Sequence, residues 1–149
     1  MEVDYMSYYN IDMLYNKLTE ADRFEKMSIL AQFSAVFYGN IPEKKRPDYI
    51  TAFMTVLNWM SVSASSGVWE YYDSCREKDT GDTIAYLNKI GEKEIAGKLK
   101  RGHSLYKSDN DSIDKIDFWC EENEQRLTAF LVKLLQDNKG EIKSLFTEA

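Results

Sequence analysis

Along this chain apolar positions return every three to four residues, and no segment alternates for the length of a strand, so the pattern predicts helices throughout. Ile11, Leu14 and Leu18 outline a first short helix after Asn10, a residue suited to an N-cap. Thr19 with Asp22 three residues on resembles a capping box that opens a second helix. Phe24, Met27, Leu30, Ala31, Ser34, Ala35 and Tyr38 carry it to a stop at Gly39-Asn40. After the basic connection IPEKKRPD, Pro47 fits the first position of a third helix, where its missing N–H would be unpaired anyway. Ile50, Phe53, Met54, Leu57 and Met60 form that helix's stripe, and SVSASSG ends it.

The same period continues through the second half. A short turn at Trp69–Tyr72 precedes a helix from Thr80 to Ile90 closed by Gly91, and Ile95, Ala96, Leu99, His103 and Tyr106 outline the next. Beyond KSDNDS, one stripe runs through Ile113, Ile116, Trp119 and Cys120, and a stronger one through Leu127, Phe130, Leu131, Leu134 and Leu135. The polar EENEQ between them predicts a break near Asn123, and Lys139-Gly140 a stop before a final turn with Leu145 and Phe146. The expected architecture is an all-α, compact single-domain bundle of about seven or eight helices over residues 1–149.

Composition narrows the class. A chain of 149 residues, 44% hydrophobic, can bury a core without disulfides or metals. Its apolar runs are too short to span a bilayer, and the acidic, aromatic start MEVDYMSYYN lacks the basic and apolar blocks of a signal peptide, so a cytoplasmic location is expected. Cys75 and Cys120, isolated from each other, are expected to be free thiols. A net charge of -6 argues against direct nucleic-acid binding through phosphates. The charge is concentrated: from Asp109 onward ten acids face five bases, which accounts for all but one unit of the excess.

Candidate catalytic chemistry is thin. The single histidine, His103, shares a face with Leu99 and Tyr106, the setting of a packing residue more often than of a base. No nucleophile elbow, phosphate loop, dinucleotide fingerprint or zinc motif occurs, and DNDSIDKID lacks the glycine and terminal glutamate of a calcium loop. Glu70, Asp73 and Glu77 would share one helical face, where paired carboxylates could do acid and base work, but Arg76 and Lys78 beside them favour a solvated face. The expectation is therefore a non-enzymatic protein without cofactor or metal.

The strongest charge feature is the row Asp109, Asp111, Asp114, Asp117, Glu121, Glu122 and Glu124, opposed only by Lys115. Arrayed at helical pitch, these acids would attract a basic groove on another protein. Equally, acids in a first turn serve their own helix dipole. A second candidate surface is an aromatic patch of Trp69, Tyr71 and the N-terminal Tyr5, Tyr8 and Tyr9, residue types that dominate binding hot spots.

Three stretches carry a family resemblance. SSGVWEYYDS resembles the Asn-Gly-Gly-Phe-x-Gln-Tyr/Phe-Phe element of a bacterial family that includes a DNA-mimic protein of the nineteen-kilodalton type. IAYLNKIGEKEIAGKLKRG is similar to that family's helix, Ile-Gly turn and Ala-bearing helix, and IDKIDFWCEENEQRLTAFLVKLLQDNKGEI to its closing segment. The similarity runs over about residues 50–143; residues 1–45 carry no matching motif. Gly67, Tyr71 and Tyr72 keep the first element, Gly91 keeps the turn, and Glu70 stands where Gln is usual.

The resemblance implies an all-helical, non-enzymatic fold and, in the mimic member, an acidic surface that occupies a DNA-binding protein. Expected of this chain is thus a protein-binding domain, either a DNA mimic whose acid row meets a basic DNA-binding protein or an immunity-type protein that neutralises a toxin through its aromatic patch. A carboxylate enzyme on Glu70 and Asp73 is the third reading. A homodimer would double and align the modest charge.

Overall fold

A computed structural model describes the backbone of residues 2–147 and the side chains of residues 11–146 apart from residue 23. Among these the fold is all-α, with nine α-helices, a short 3-10 turn and no strand. The helices are α1 (Glu2–Glu20), α2 (Arg23–Asn40), α3 (Asp48–Ser65), α4 (Val68–Ser74), α5 (Glu77–Lys89), α6 (Lys93–Leu105), α7 (Asn110–Glu122), α8 (Glu124–Asp137) and α9 (Lys139–Thr147). The chain divides into two compact units, one made of residues up to Arg46 and from Thr128 onward, the other of Pro47–Leu127.

In the first unit α1 packs on α2 and on α9. Phe33 and Phe37 of α2 are fully buried with Ile11, Leu14, Tyr15 and Leu18 of α1. The Tyr15 ring meets Phe33 edge-on at 5.0 Å, and its hydroxyl donates to the Leu135 carbonyl at 2.8 Å, which lets a polar tip sit in the core at no unpaired cost. Asp12 and Lys143 form an ion pair between α1 and α9 at 2.8 Å.

Two helix starts here differ from the periodic reading. Asn10 lies inside α1 rather than capping it. Asp22 is itself the cap of α2, its carboxylate accepting the Phe24 and Glu25 N–H groups at 2.9 Å each, while Thr19 stays in α1 and donates to the Tyr15 carbonyl. A carboxylate two residues before free N–H groups is the stronger cap, which is why Asp22 rather than Thr19 takes the position.

In the second unit α3 is the central element, packed by α4, α5 and α7. Nine of its residues are buried, among them Ile50, Phe53, Val56, Trp59 and Met60, so it is apolar on more than one side, as a core helix must be. Pro47 caps it, and its carbonyl accepts the Ile50 and Thr51 N–H groups. The serine-rich stretch ends α3 as expected: the helix runs to Ser65 and closes with Ser66 and Gly67 both donating to the Val62 carbonyl. Gly91, at φ +87, closes α5, and Glu92 N–H reaches back to the Leu87 carbonyl at 2.8 Å in a Schellman arrangement. The break expected near Asn123 is present, and a second falls at Asn138, one residue before the expected Lys139-Gly140 stop.

Candidate functional site: the corner of α4 and α7

Between α3 and α4 the chain reverses over Ser66 and Gly67. Gly67 takes φ +98 and ψ +141, a conformation costly to any residue bearing a Cβ. The N-terminus of α4 has no cap of its own. Its first N–H, on Val68, is instead satisfied by Asp117 of α7, whose Oδ1 accepts it at 2.8 Å and also accepts the Ser63 hydroxyl at 2.6 Å. One carboxylate thus joins α3, α4 and α7.

Behind this clip lies a ladder of aromatic rings running from core to surface. Trp59 Nε1–H donates to the Tyr72 hydroxyl at 3.0 Å, which in turn donates to the Leu99 carbonyl at 3.0 Å. Tyr72 stacks on Tyr106 at 5.9 Å, and Tyr106 meets Trp69 edge-on at 6.1 Å. Trp69 ends the ladder, 45% exposed. Burial raises the Tyr71 and Tyr72 phenols well above their ordinary range, so both remain neutral, and the Tyr71 hydroxyl shares a 2.7 Å hydrogen bond with the Thr80 hydroxyl.

On α7 the buried side carries Ser112, Ile113, Ile116 and Cys120, and burial pushes the Cys120 thiol up to about 12. The opposite side exposes Asp111, Asp114, Lys115, Phe118, Glu121 and Glu122, residues three and four apart on one stripe. Phe118 is 61% exposed at the middle of it. Beside it Trp119 rests near Trp59 at 6.3 Å, with Lys98 and Arg126 over its ring at 5.7 and 5.9 Å. Arg126 also pairs with Glu94 and, at 3.9 Å, with Glu92.

The seven acids of the row therefore divide. Asp109 caps α7, accepting the Ser112 N–H at 3.0 Å and the Ser112 hydroxyl at 2.8 Å, bonds that hold its carboxyl below the usual range. Asp117 is the clip. Asp111, Asp114, Glu121, Glu122 and Glu124 are exposed, and among the described residues none of the five takes part in an ion pair.

The remaining candidates are placed as follows. Glu70 and Asp73 are exposed on α4, while Glu77 begins α5, so the three carboxylates do not share a helical face. His103 is half-buried with its ring 6.4 Å from Tyr72. Of the aromatic patch, Trp69 is exposed and Tyr71 buried; the side chains of Tyr5, Tyr8 and Tyr9 lie outside those described. Among the described residues no three His, Cys, Asp or Glu side chains are grouped to hold a metal ion, and no helix is long and apolar enough to cross a membrane. An open cleft of about 400 Å³ beside α1 and α2, lined by Lys17, Glu20, Glu25, Ser28, Ile29 and Gln32, contains none of the expected site residues.

Phe118 is a surface residue that the periodic reading passed over. Phe118 was detectable: it is apolar, yet out of phase with Ile113, Ile116 and Cys120, which places it on the acidic side. The chain matches no protein-family model, no curated protein and no solved structure.

Proposed function

We propose that this chain is a protein-binding domain whose docking face is the corner of α4 and α7, with Trp69 and Phe118 as apolar anchors and Asp111, Asp114, Glu121 and Glu122 as a charged rim. The observation that carries this reading is the Asp117 clip. Trp69 follows Val68 and Phe118 follows Asp117, so the 2.8 Å bond between Val68 and Asp117 holds the two exposed rings on neighbouring elements. An aromatic anchor on a packed ladder loses little freedom on binding, which favours affinity.

The arrangement favours a neutralising or immunity-type protein, gripping its partner through aromatic anchors, over a DNA mimic. A mimic needs an uninterrupted run of negative charge. Here two of the seven acids are engaged in internal bonds, and an exposed phenylalanine stands among the others. Mimicry of the kind suggested by the family resemblance is the second reading, supported by the five acids without ion pairs.

Capture from the native host separates the two. Retention of one partner in high salt, and its loss from a Trp69→Ala/Phe118→Ala variant, is the outcome expected of aromatic anchoring. Retention by that variant, with loss in high salt and from Asp111→Asn/Asp114→Asn/Glu121→Gln/Glu122→Gln, would replace it with mimicry. A partner held equally by every variant would remove both readings.

A further inference from the structure

The outer face of α2 presents a different surface. Ile29, Leu30, Phe33 and Phe37 point to the core, which leaves Phe24, Ser28, Ala31, Ala35 and Tyr38 on the opposite side, all exposed. That line spans fourteen residue steps without a charged side chain, on a helix whose inner face is already fully apolar. Phe24 is 84% and Tyr38 74% exposed. A solvent-facing helix ordinarily places its charges there, and apolar residues on both faces mark a helix covered twice.

The two end rings are equidistant from the middle of the line. Phe24 and Tyr38 each stand seven residues from Ala31, about 10.5 Å along the axis in either direction. Ala31 and Ala35 between them leave a low central stretch over which another helix could approach closely. The flanks are complementary in charge. Residues 20–25 hold Glu20, Asp22 and Glu25 against one base, and residues 43–46 hold Lys44, Lys45 and Arg46 against one acid. Asp22 raises the Glu25 carboxyl by like-charge repulsion, a repulsion that a nearby base would relieve. At the other end Arg46 lies over the Tyr38 ring at 5.6 Å and donates to the Tyr38 carbonyl, so the basic turn is held against the aromatic end of the stripe.

We propose that this face is the contact surface of a homodimer, two copies of α2 packed antiparallel about a two-fold axis at Ala31. Phe24 of each copy then lies against Tyr38 of the partner subunit, and the acidic start of one α2 meets the basic turn after the other. An isologous contact requires that residue i meet j while j meets i, and two end rings equidistant from Ala31 with opposite charges beyond them satisfy that requirement. A single helix pair with its flanks is at the small end of stable interfaces, below about 1,200 Å² in total, so a reversible dimer is expected.

Sedimentation equilibrium of the full chain between roughly 1 µM and 1 mM tests it. The wild type should show concentration-dependent dimerisation. Ala31→Glu, which sets two carboxylates against each other at the axis, should raise the dissociation constant roughly 100-fold. Circular dichroism of that variant should remain native, because the position is exposed and Glu is a good helix former. Glu25→Lys should weaken the dimer at low salt, and Lys44→Glu/Lys45→Glu in the same chain should restore it. A wild type monomeric at every concentration would overturn the proposal, as would a dimer indifferent to Ala31→Glu, and a dimer without the charge-reversal rescue would overturn its antiparallel arrangement.

Discussion

Asp117 Oδ1 accepts the backbone N–H of Val68 at 2.8 Å, a bond across 49 residues of sequence that supplies the N-terminus of α4 with the cap its own sequence lacks. The same oxygen holds Ser63, so an acid on a helix with an exposed acidic face has two internal duties. Asp117→Ala should destabilise the fold by about 1–3 kcal/mol, the cost of a lost cap together with an orphaned donor. Asp117→Asn keeps a carbonyl acceptor and should recover most of it. Urea denaturation of the three proteins checks both statements, and equal stability of wild type and the alanine variant would show that the clip contributes nothing.

Gly67→Ala should cost about 1–3 kcal/mol through backbone strain rather than collision. An added Cβ would meet Asp117 Oδ2 at 3.6 Å, an ordinary contact, whereas φ +98 is rarely open to an L residue. Thermal melts distinguish this from Gly81→Ala, exposed inside α5 at ordinary φ, where the change should be neutral or stabilising.

Tyr72 closes against Gly102, and a Cβ at position 102 would fall on the Tyr72 ring and hydroxyl. Gly102→Ala should therefore destabilise by roughly 1–3 kcal/mol or more. Tyr72→Phe should not relieve it, since ring carbons as well as the hydroxyl occupy that space, and alone it should cost about 1–3 kcal/mol by leaving the buried Trp59 Nε1–H without its acceptor. A double variant less stable than either single change, measured by chemical denaturation, is the expected result.

Asp109 gives the fold a pH dependence of known sign. Its carboxyl is held below the ordinary value by the Ser112 N–H and hydroxyl. A group depressed in the folded state adds stability above its unfolded pKa and loses it as pH falls through the folded one. The stability gap between wild type and Asp109→Ala should thus be constant near neutrality, narrow below about pH 4 and be smallest at the most acid pH at which the protein still folds. A gap that widened on acidification would contradict the cap.

Much of the fold was legible in periodicity because burial repeats with it: Ile50, Phe53, Leu57 and Met60 are buried as the spacing of α3 predicts, and Asn123 marks a real break. What escaped depended on contacts distant in sequence. Nothing within the row of acids separates Asp117 from Asp114, and only the approach of α4 to α7 makes one a clip and leaves the other in water. Trp69 and Tyr71 look alike as hot-spot residues, yet Tyr71 faces Thr80 in the core while Trp69 ends the ladder outside. Asn10 failed as a boundary because a good cap residue stops no helix whose backbone is already paired on both sides.

The central claim is that partners dock on the corner of α4 and α7. Amide hydrogen exchange of the chain alone and in complex with the partner captured from its host tests it most directly. Slowed exchange confined to residues 68–74 and 110–122 is the predicted result; slowed exchange elsewhere, with these two helices unchanged, would contradict it.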